Sequence, residues 1–399
     1  MSISARFLRV NAGGNLAPEE VVGRDVEIAK MWRTLERQSV LLTAERRMGK
    51  TSVLHRMLAQ PPAGFIALNR NLQPVATPEE FVTTLITDAE RAVPGLFRRT
   101  LAERLSDAGV QKIGVSKLSF ELAKEGPGSW KTAAEATFST LTENLSERVV
   151  FLWDELPHML ANIRDTTGAL AARQTLDLLR AARESYPQLG MVFSGSVGLH
   201  HVVDELRAQG GMWAPVHDMI VVDLPPLTTP DAEFLANALL TNEQIECDDL
   251  PVVARTIAGE VDAVPYYVHH LVLQLRDRQQ AGLCATVDEV LVRDIVEQVL
   301  HDPLDPWQLM HYVDRVGSYY PAQDNLVRAM LDAVAVSAEP LDVSALQRLV
   351  AAQQTPPSSD ELKALLVLLC KDHYLLSRPG FAFKLSLVRR AWAARRSLV

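Results

Sequence analysis

Five short apolar runs punctuate the first part of the chain, at residues 39–43, 64–68, 149–153, 190–193 and 219–224. They show little polar alternation, which is the pattern of strands covered on both faces, and the stretches between them are long enough for crossover helices. The pattern predicts a three-layer α/β unit around a five-stranded parallel sheet, ending near Pro226. Ahead of the first run, Ile28, Trp32 and Leu35 recur at helical spacing behind Asp25, which stands where an N-cap belongs, so a helix is expected from Asp25 to about Gln38. A long excursion, about 70–147, separates the second and third runs; it contains a helical pattern over 78–92 and a possible hairpin at 112–122.

From residue 229 onward the strand signals vanish. Helical periodicity over 231–240, 249–258, 264–276 and 287–300 predicts a helical segment spanning about 229–310. In the last 80 or so residues, helices are expected at about 325–334, 343–352 and 359–371. An apolar stretch at 374–377, a Pro379-Gly380 turn, a second stretch at 381–385 and a final helix follow. Three helices and a hairpin in that order describe a winged helix-turn-helix. The expected organisation is therefore an arm over 1–19, an α/β domain over 20–226, a helical lid over 227–310 and a winged helix over 311–399.

At 399 residues the length suits two to three domains, and 48% hydrophobic with 22% charged residues is ordinary globular composition. A disordered or fibrous chain is excluded. The longest uninterrupted apolar run, 364–370, is far short of the roughly 20 residues of a membrane span. The first residues lack the apolar region of a secretory signal, and Cys247, Cys284 and Cys370 lack the spacing of a disulfide or metal framework, so the cytoplasm is the expected compartment. A formal charge of -9 removes any global attraction for nucleic acid or anionic lipid, leaving only local contacts.

Chemistry concentrates at two places. Ala44-Glu45-Arg46-Arg47-Met48-Gly49-Lys50-Thr51-Ser52 follows the first strand run and precedes a helical pattern, the strand–loop–helix setting of a Walker A loop. Unpaired N–H groups at the helix start attract phosphate oxygens. Lys50 would reach the β- and γ-phosphates, and the Thr51 hydroxyl would ligate Mg²⁺. The pattern normally opens on Gly; Ala44 is nearly free there only when φ is negative. About 100 residues on, the run Val149-Val150-Phe151-Leu152-Trp153 ends in Asp154-Glu155. In a parallel sheet the carboxyl ends of the strands face the ligand. Asp154 would hold Mg²⁺ through water, and Glu155 would orient and deprotonate an attacking water.

With Val22-Gly23-Arg24 upstream, the double-arginine loop and the Asp154-Glu155 pair resemble the STAND-class P-loop ATPases, closest to the archaeal-ATPase-like branch related to origin-recognition AAA+ proteins. The resemblance covers about residues 20–390. It implies an ATP/ADP site with Val22, Gly23 and Arg24 against the adenine. It implies that Ser194 of Ser194-Gly195-Ser196 occupies the sensor-1 region near the γ-phosphate, and that Pro265 of Val264-Pro265-Tyr266 touches the nucleotide from the helical domain. Members usually carry Gly where this chain has Val264. Arg46 and Arg47, beside the phosphates, have two open roles: steadying the nucleotide in cis, or forming salt bridges that sense its state.

Ser194-Gly195-Ser196-Val197-Gly198 nearly matches a hydrolase nucleophile elbow, but Ser194 replaces its first Gly. His200-His201 and His269-His270 are adjacent on helices, where side chains diverge by about 100°, so structural roles are expected rather than shared metal ligation. Residues 311–399 carry eleven Lys or Arg against eight Asp or Glu. The candidate recognition helix at 359–370 opens on Asp360-Glu361 and is otherwise strongly apolar, which favours protein packing over groove reading. The basic residues gather instead at Arg389, Arg390, Arg395 and Arg396, where DNA-backbone contact stays open.

The expected function is an ATP-binding, slowly hydrolysing STAND-like switch, with no membrane association. Its output would pass to a partner chain or to self-assembly in prokaryotic signalling or defence. The alternatives are an origin-recognition-like DNA-binding ATPase and a nucleotide-locked scaffold without turnover.

Overall fold

Each of the five apolar runs becomes a strand. In the computed structural model, which describes residues 8–92, 100–101, 103–104, 129–196, 198–207, 213–351 and 357–398, they are β1 (Val40–Thr43), β2 (Phe65–Asn71), β3 (Arg148–Asp154), β4 (Leu189–Ser194) and β5 (Ile220–Asp223). All pairings are parallel and the sheet order is β2-β3-β4-β1-β5. The expected hairpin at 112–122 lies outside the described residues.

The chain divides into two compact units. A sheet unit comprises Arg24–Thr43 and Lys50–Leu224; a helical unit comprises Met1–Gly23, Ala44–Gly49 and Pro225–Val399. Helices of the sheet unit are α1 (Asp25–Leu35), α2 (Lys50–Ala59), α3 (Pro78–Ala92), α4 (Ser129–Asn144), α5 (Leu156–Thr167), α6 (Ala169–Ser185) and α7 (Leu199–Arg207). Its core centres on β3 and β4, which are buried from Val149 to Asp154 and from Leu189 to Ser194. Trp153 stacks on Phe151 and Phe193 at ring-centroid distances of 4.9 and 6.0 Å, and Phe81 of α3 meets it edge-on at 5.4 Å.

Two expectations need correction here. β5 is an edge strand: Val221 is 59% exposed, so a continuous apolar run did not mean burial on both faces. Helix α1 is capped by Arg24, not Asp25, and stops at Leu35, because the N–H groups of Arg37 and Gln38 both turn back to the Thr34 carbonyl.

In the helical unit the helices are α8 (Thr229–Asn242), α9 (Leu250–Glu260), α10 (Pro265–Gln280), α11 (Glu289–His301), α12 (His311–Tyr319), α13 (Asp324–Val336), α14 (Val343–Ala351), α15 (Ser359–Lys371) and α16 (Ser386–Arg395). Their starts are legible chemistry: the side chains of Thr228, Asp249, Asp288 and Ser358 each accept the N–H three residues on. Between α15 and α16, β6 (Leu375–Leu376) and β7 (Ala382–Phe383) form an antiparallel hairpin around the Arg378–Pro379 turn. Helix α12 had no counterpart in the hydrophobic pattern. The segment at 8–11 is tied to α8 and α10: Asn242 donates to the Leu8 carbonyl at 2.9 Å, and the Asn11 N–H donates to His269 Nδ1 at 3.2 Å. Among the described residues, no helix is long and apolar enough to cross a membrane.

Candidate functional site

Within the sheet unit, β3 and β4 are paired in register at Trp153 and Phe193, so the next residues along, Asp154 and Ser194, end neighbouring strands side by side. Asp154 is 4% exposed, and donors surround it. The Thr51 hydroxyl, in the first turn of α2, donates to Oδ2 at 2.6 Å; the Ser194 hydroxyl donates to Oδ1 at 3.0 Å and the Glu155 N–H to the same oxygen at 3.1 Å. A carboxylate and a hydroxyl, both oxygen donors in contact, suit a small hard cation such as Mg²⁺, which takes few protein ligands and keeps water and phosphate in its other positions. Lys50 and Ser52 flank Thr51 at the start of α2.

Glu155 takes a left-handed backbone conformation, φ 58°, as it caps α5. For a residue with a Cβ this is a sparsely populated region, held here by its surroundings. Oε2 carries three contacts: His158 Nδ1 at 2.7 Å and the Ser196 N–H and hydroxyl, both at 3.0 Å. Burial works to raise the Glu155 pKa, but the His158 and Ser196 hydrogen bonds outweigh it and hold the carboxyl below its ordinary range. Gly195 makes room for this arrangement, since a Cβ there would stand 2.6 Å from Cδ of the Pro157 ring. His158 was not singled out from the sequence; its position three residues beyond Glu155 on a helix was the available signal. His200 and His201 open α7 with ring centroids 4.3 Å apart, closer than ideal helical divergence suggests.

Loop 44–49 belongs to the helical unit by its contacts. The left-handed positions in it are Arg47, φ 72°, and Gly49, φ 88°; Ala44 is not among them, so Gly is not required there. Arg46 is exposed and Met48 is 1% exposed. The Arg47 guanidinium lies 4.2 Å from the ring centroid of Tyr266 and hydrogen-bonds the Gln308 side chain. Neither arginine forms an ion pair among the described residues. The acid of the loop does: Glu45, 1% exposed, receives Arg315 of α12 on both oxygens, at 2.9 and 3.2 Å, and the Arg46 N–H at 2.7 Å. Burial raises the Glu45 pKa, yet the charge and hydrogen bonds of Arg315 override it and hold the carboxyl below its ordinary value.

Elsewhere in the helical unit, Val22 is buried, and Gly23, φ 66°, packs so closely on Asp231 of α8 that a Cβ would lie 2.8 Å from its side chain. Arg24, 2% exposed, begins the sheet unit. Pro265 is the first residue of α10. Val264 before it is extended, φ −78°, so that position does not demand Gly; the left-handed residues are Asp262 and Ala263. Burial, reinforced by a neighbouring basic group in each case, lowers the pKa values of three histidines to about 4. They are His269 beside His270, His270 beside Arg47, and His311 beside Arg315.

The basic cluster of the last helix is engaged within the helical unit. Arg390 bridges Glu260 and Glu297, both at 2.7 Å, and Arg396 holds Asp332 at 2.7 Å. Arg389 donates to the Ala335 carbonyl at 2.8 Å, and Arg395 to the Asp302 carbonyl at 2.6 Å. Leu362, Leu365, Leu366 and Leu369 of α15 are all buried.

No family model and no curated protein matches the sequence. Solved structures do match the fold. The Walker-type ATPase of Pyrococcus abyssi superposes with a TM-score of 0.64 at 16% identity, over 96% of this chain and 99% of that one. The ORC2 protein of Aeropyrum pernix, determined as ADPNP–ADP complexes, superposes with a TM-score of 0.54 at 12% identity, over 98% of this chain and 99% of that one. At such identities the likeness is one of fold: a P-loop NTPase fold, with a five-stranded parallel sheet and a helical C-terminal region.

Proposed function

We propose that this chain is a Mg²⁺-dependent, slowly hydrolysing ATPase that acts as a nucleotide-controlled conformational switch of the STAND type. The observation that carries the proposal is the junction of Thr51, Asp154 and Ser194, which joins the residue after the loop lysine to the carboxyl ends of two central strands. The nucleotide complexes of the Aeropyrum pernix structure support ATP or ADP as the ligand.

Each residue then has a task. The first-turn amides of α2, at the positive end of the helix, receive phosphate oxygens, and the Lys50 ammonium reaches the β- and γ-phosphates. Thr51 and Asp154 would hold Mg²⁺; when bound, the ion neutralises charge that develops on the transferring phosphoryl group. Glu155 accepts the proton of the attacking water. Its Oε2 is held by His158 and Ser196, so the carboxylate is already ionised and oriented. Ser194 reads the neighbourhood of the γ-phosphate through Asp154. Val22, Gly23, Arg24 and Pro265 are assigned to the adenine side, and exposed Arg46 steadies the phosphates in cis. Met48, Gly49 and Ser52 shape the loop and the helix start.

A change of loop state on hydrolysis supplies two-state behaviour. Its output goes to a separate partner in prokaryotic signalling or defence. The C-terminal helices and hairpin are taken as a winged helix that packs against protein. The second reading, an origin-recognition-like DNA-binding ATPase, has equal support from the fold of the Aeropyrum pernix protein, although Arg389, Arg390, Arg395 and Arg396 all have partners inside the unit and so do not favour the last helix as its DNA contact.

The test is equilibrium titration with MgATP and with ATP plus excess EDTA. Wild type is expected to bind MgATP, with affinity reduced at least about tenfold by Lys50→Ala and by EDTA, the latter effect being absent in Thr51→Ala. Binding that is indifferent to both Lys50 and Mg²⁺ would remove the proposal.

A further inference from the structure

Inside the phosphate-loop sequence, Glu45 plays no part in the chemistry above. Glu45 is 1% exposed, although loop residues of its type normally face water. Its carboxylate meets the guanidinium of Arg315 in a two-bond fork, Nη1 to Oε1 at 2.9 Å and Nη2 to Oε2 at 3.2 Å, the geometry that makes an arginine–carboxylate pair directional. Arg315 is itself fixed. Its Nε donates to the Tyr374 hydroxyl at 2.8 Å and its Nη2 to the Asp372 carbonyl at 3.1 Å, while its charge lies 4.8 and 4.2 Å from the ring centroids of Tyr312 and Tyr374. The Tyr374 hydroxyl closes the circuit by donating to the Tyr312 carbonyl at 2.6 Å.

The loop end of the pair is as constrained as the helix end. Oε1 of Glu45 also receives the Arg46 N–H at 2.7 Å, so the carboxylate fixes the backbone one residue before the left-handed turn at Arg47. A loop that holds a non-glycine residue at φ 72° needs such outside support.

We propose that Arg315 is a positioning residue of the phosphate-binding loop: through Glu45 it sets the loop's backbone from a helix 270 residues further along the chain. The inference rests on the loop being the site of nucleotide binding. By linkage, if phosphate favours the loop shape that the pair enforces, nucleotide strengthens the hold of α12 and of the turn at 372–374 to the same degree that Arg315 strengthens nucleotide binding. Arg315 is thereby the route by which loop occupancy is felt in the C-terminal helices.

The experiment is isothermal titration with MgATP, paired with urea denaturation, on the full chain and on Lys50→Ala, Arg315→Met, Glu45→Gln and the double variant Glu45→Gln/Arg315→Met. Arg315→Met leaves a buried carboxylate without its partner and is expected to lose stability. The double variant removes the stranded charge as well and is expected to regain much of it. Affinity for MgATP is expected to stay about fivefold or more below wild type in both, and to fall in Glu45→Gln, which keeps the shape and the acceptor for the Arg46 N–H and so reads the pair even if Arg315→Met does not fold. Recovery of wild-type affinity in the double variant, or unchanged affinity in Glu45→Gln, would show a purely structural ion pair and overturn the proposal. Wild type that binds no better than Lys50→Ala would overturn instead the assignment of the loop to nucleotide, and the positioning role with it.

Discussion

Gly195 shows how a residue without a side chain governs the placement of its neighbours Pro157 and Glu155. The Cβ of an alanine would sit 2.6 and 2.9 Å from two ring carbons of Pro157, which cannot swing aside as a flexible chain would, and 3.5 Å from Glu155 Oε2. Gly195→Ala is therefore expected to cost about 1–3 kcal/mol and to disturb the bonds from Ser196 to Glu155. A urea midpoint equal to wild type would show that the close approach is not real. The triplet around Gly195 was visible in the sequence, as were the Walker residues, because their spacing is a local property. The partners of Glu155 and Glu45 were not. His158 lies on the same helix turn as Glu155, but Glu45 and Arg315 meet across most of the chain, and no periodicity links them.

Among the elements, strands were the most legible, since each is a short apolar run bounded by polar residues, and periodicity placed the starts of α8, α9, α11 and α15 within two residues of those observed. Helix α12 did not. Its sequence, His311-Tyr-Val-Asp-Arg-Val-Gly-Ser-Tyr319, includes glycine and several residues of modest helix propensity, and its burial comes from packing of Tyr312 and Val316. The helical unit also carries a pH dependence. The folded pKa values of His269, His270 and His311, about 4, lie below the ordinary 6.5. Protonation thus favours the unfolded chain: their contribution to stability is complete above pH 6.5 and declines as pH falls from 6.5 towards 4. For the nearly inaccessible His269 this amounts to about 2 kcal/mol between pH 7 and pH 5. Glu45, whose folded pKa is lowered from a value near 4.5, adds its own loss only at more acid pH. Urea midpoints at pH 7 and pH 5 check the sign; a midpoint that is flat or rises on acidification would contradict it.

In the molecule as a whole, each unit carries one arrangement that bears on the proposed function. One is an ionised, tethered Glu155 next to the Thr51–Asp154 junction. The other is loop 44–49, whose Glu45 is held by Arg315 of α12 and whose Arg47 is held by Tyr266 of α10 and by Gln308 between α11 and α12. In the proposed function the first serves hydrolysis and the second serves the switch. Both roles were expected from the sequence motifs, but the partners of Glu45 and Arg47 needed the fold. The most direct measurement combines nucleotide content with turnover: denature the purified protein to identify bound nucleotide, then assay ATPase activity in wild type, Lys50→Ala and Glu155→Gln. The account predicts slow turnover in wild type, none in either variant, and ATP retained by Glu155→Gln alone. Nucleotide bound by wild type with turnover no greater than that of Glu155→Gln would contradict it, and the chain would then be a nucleotide-stabilised scaffold.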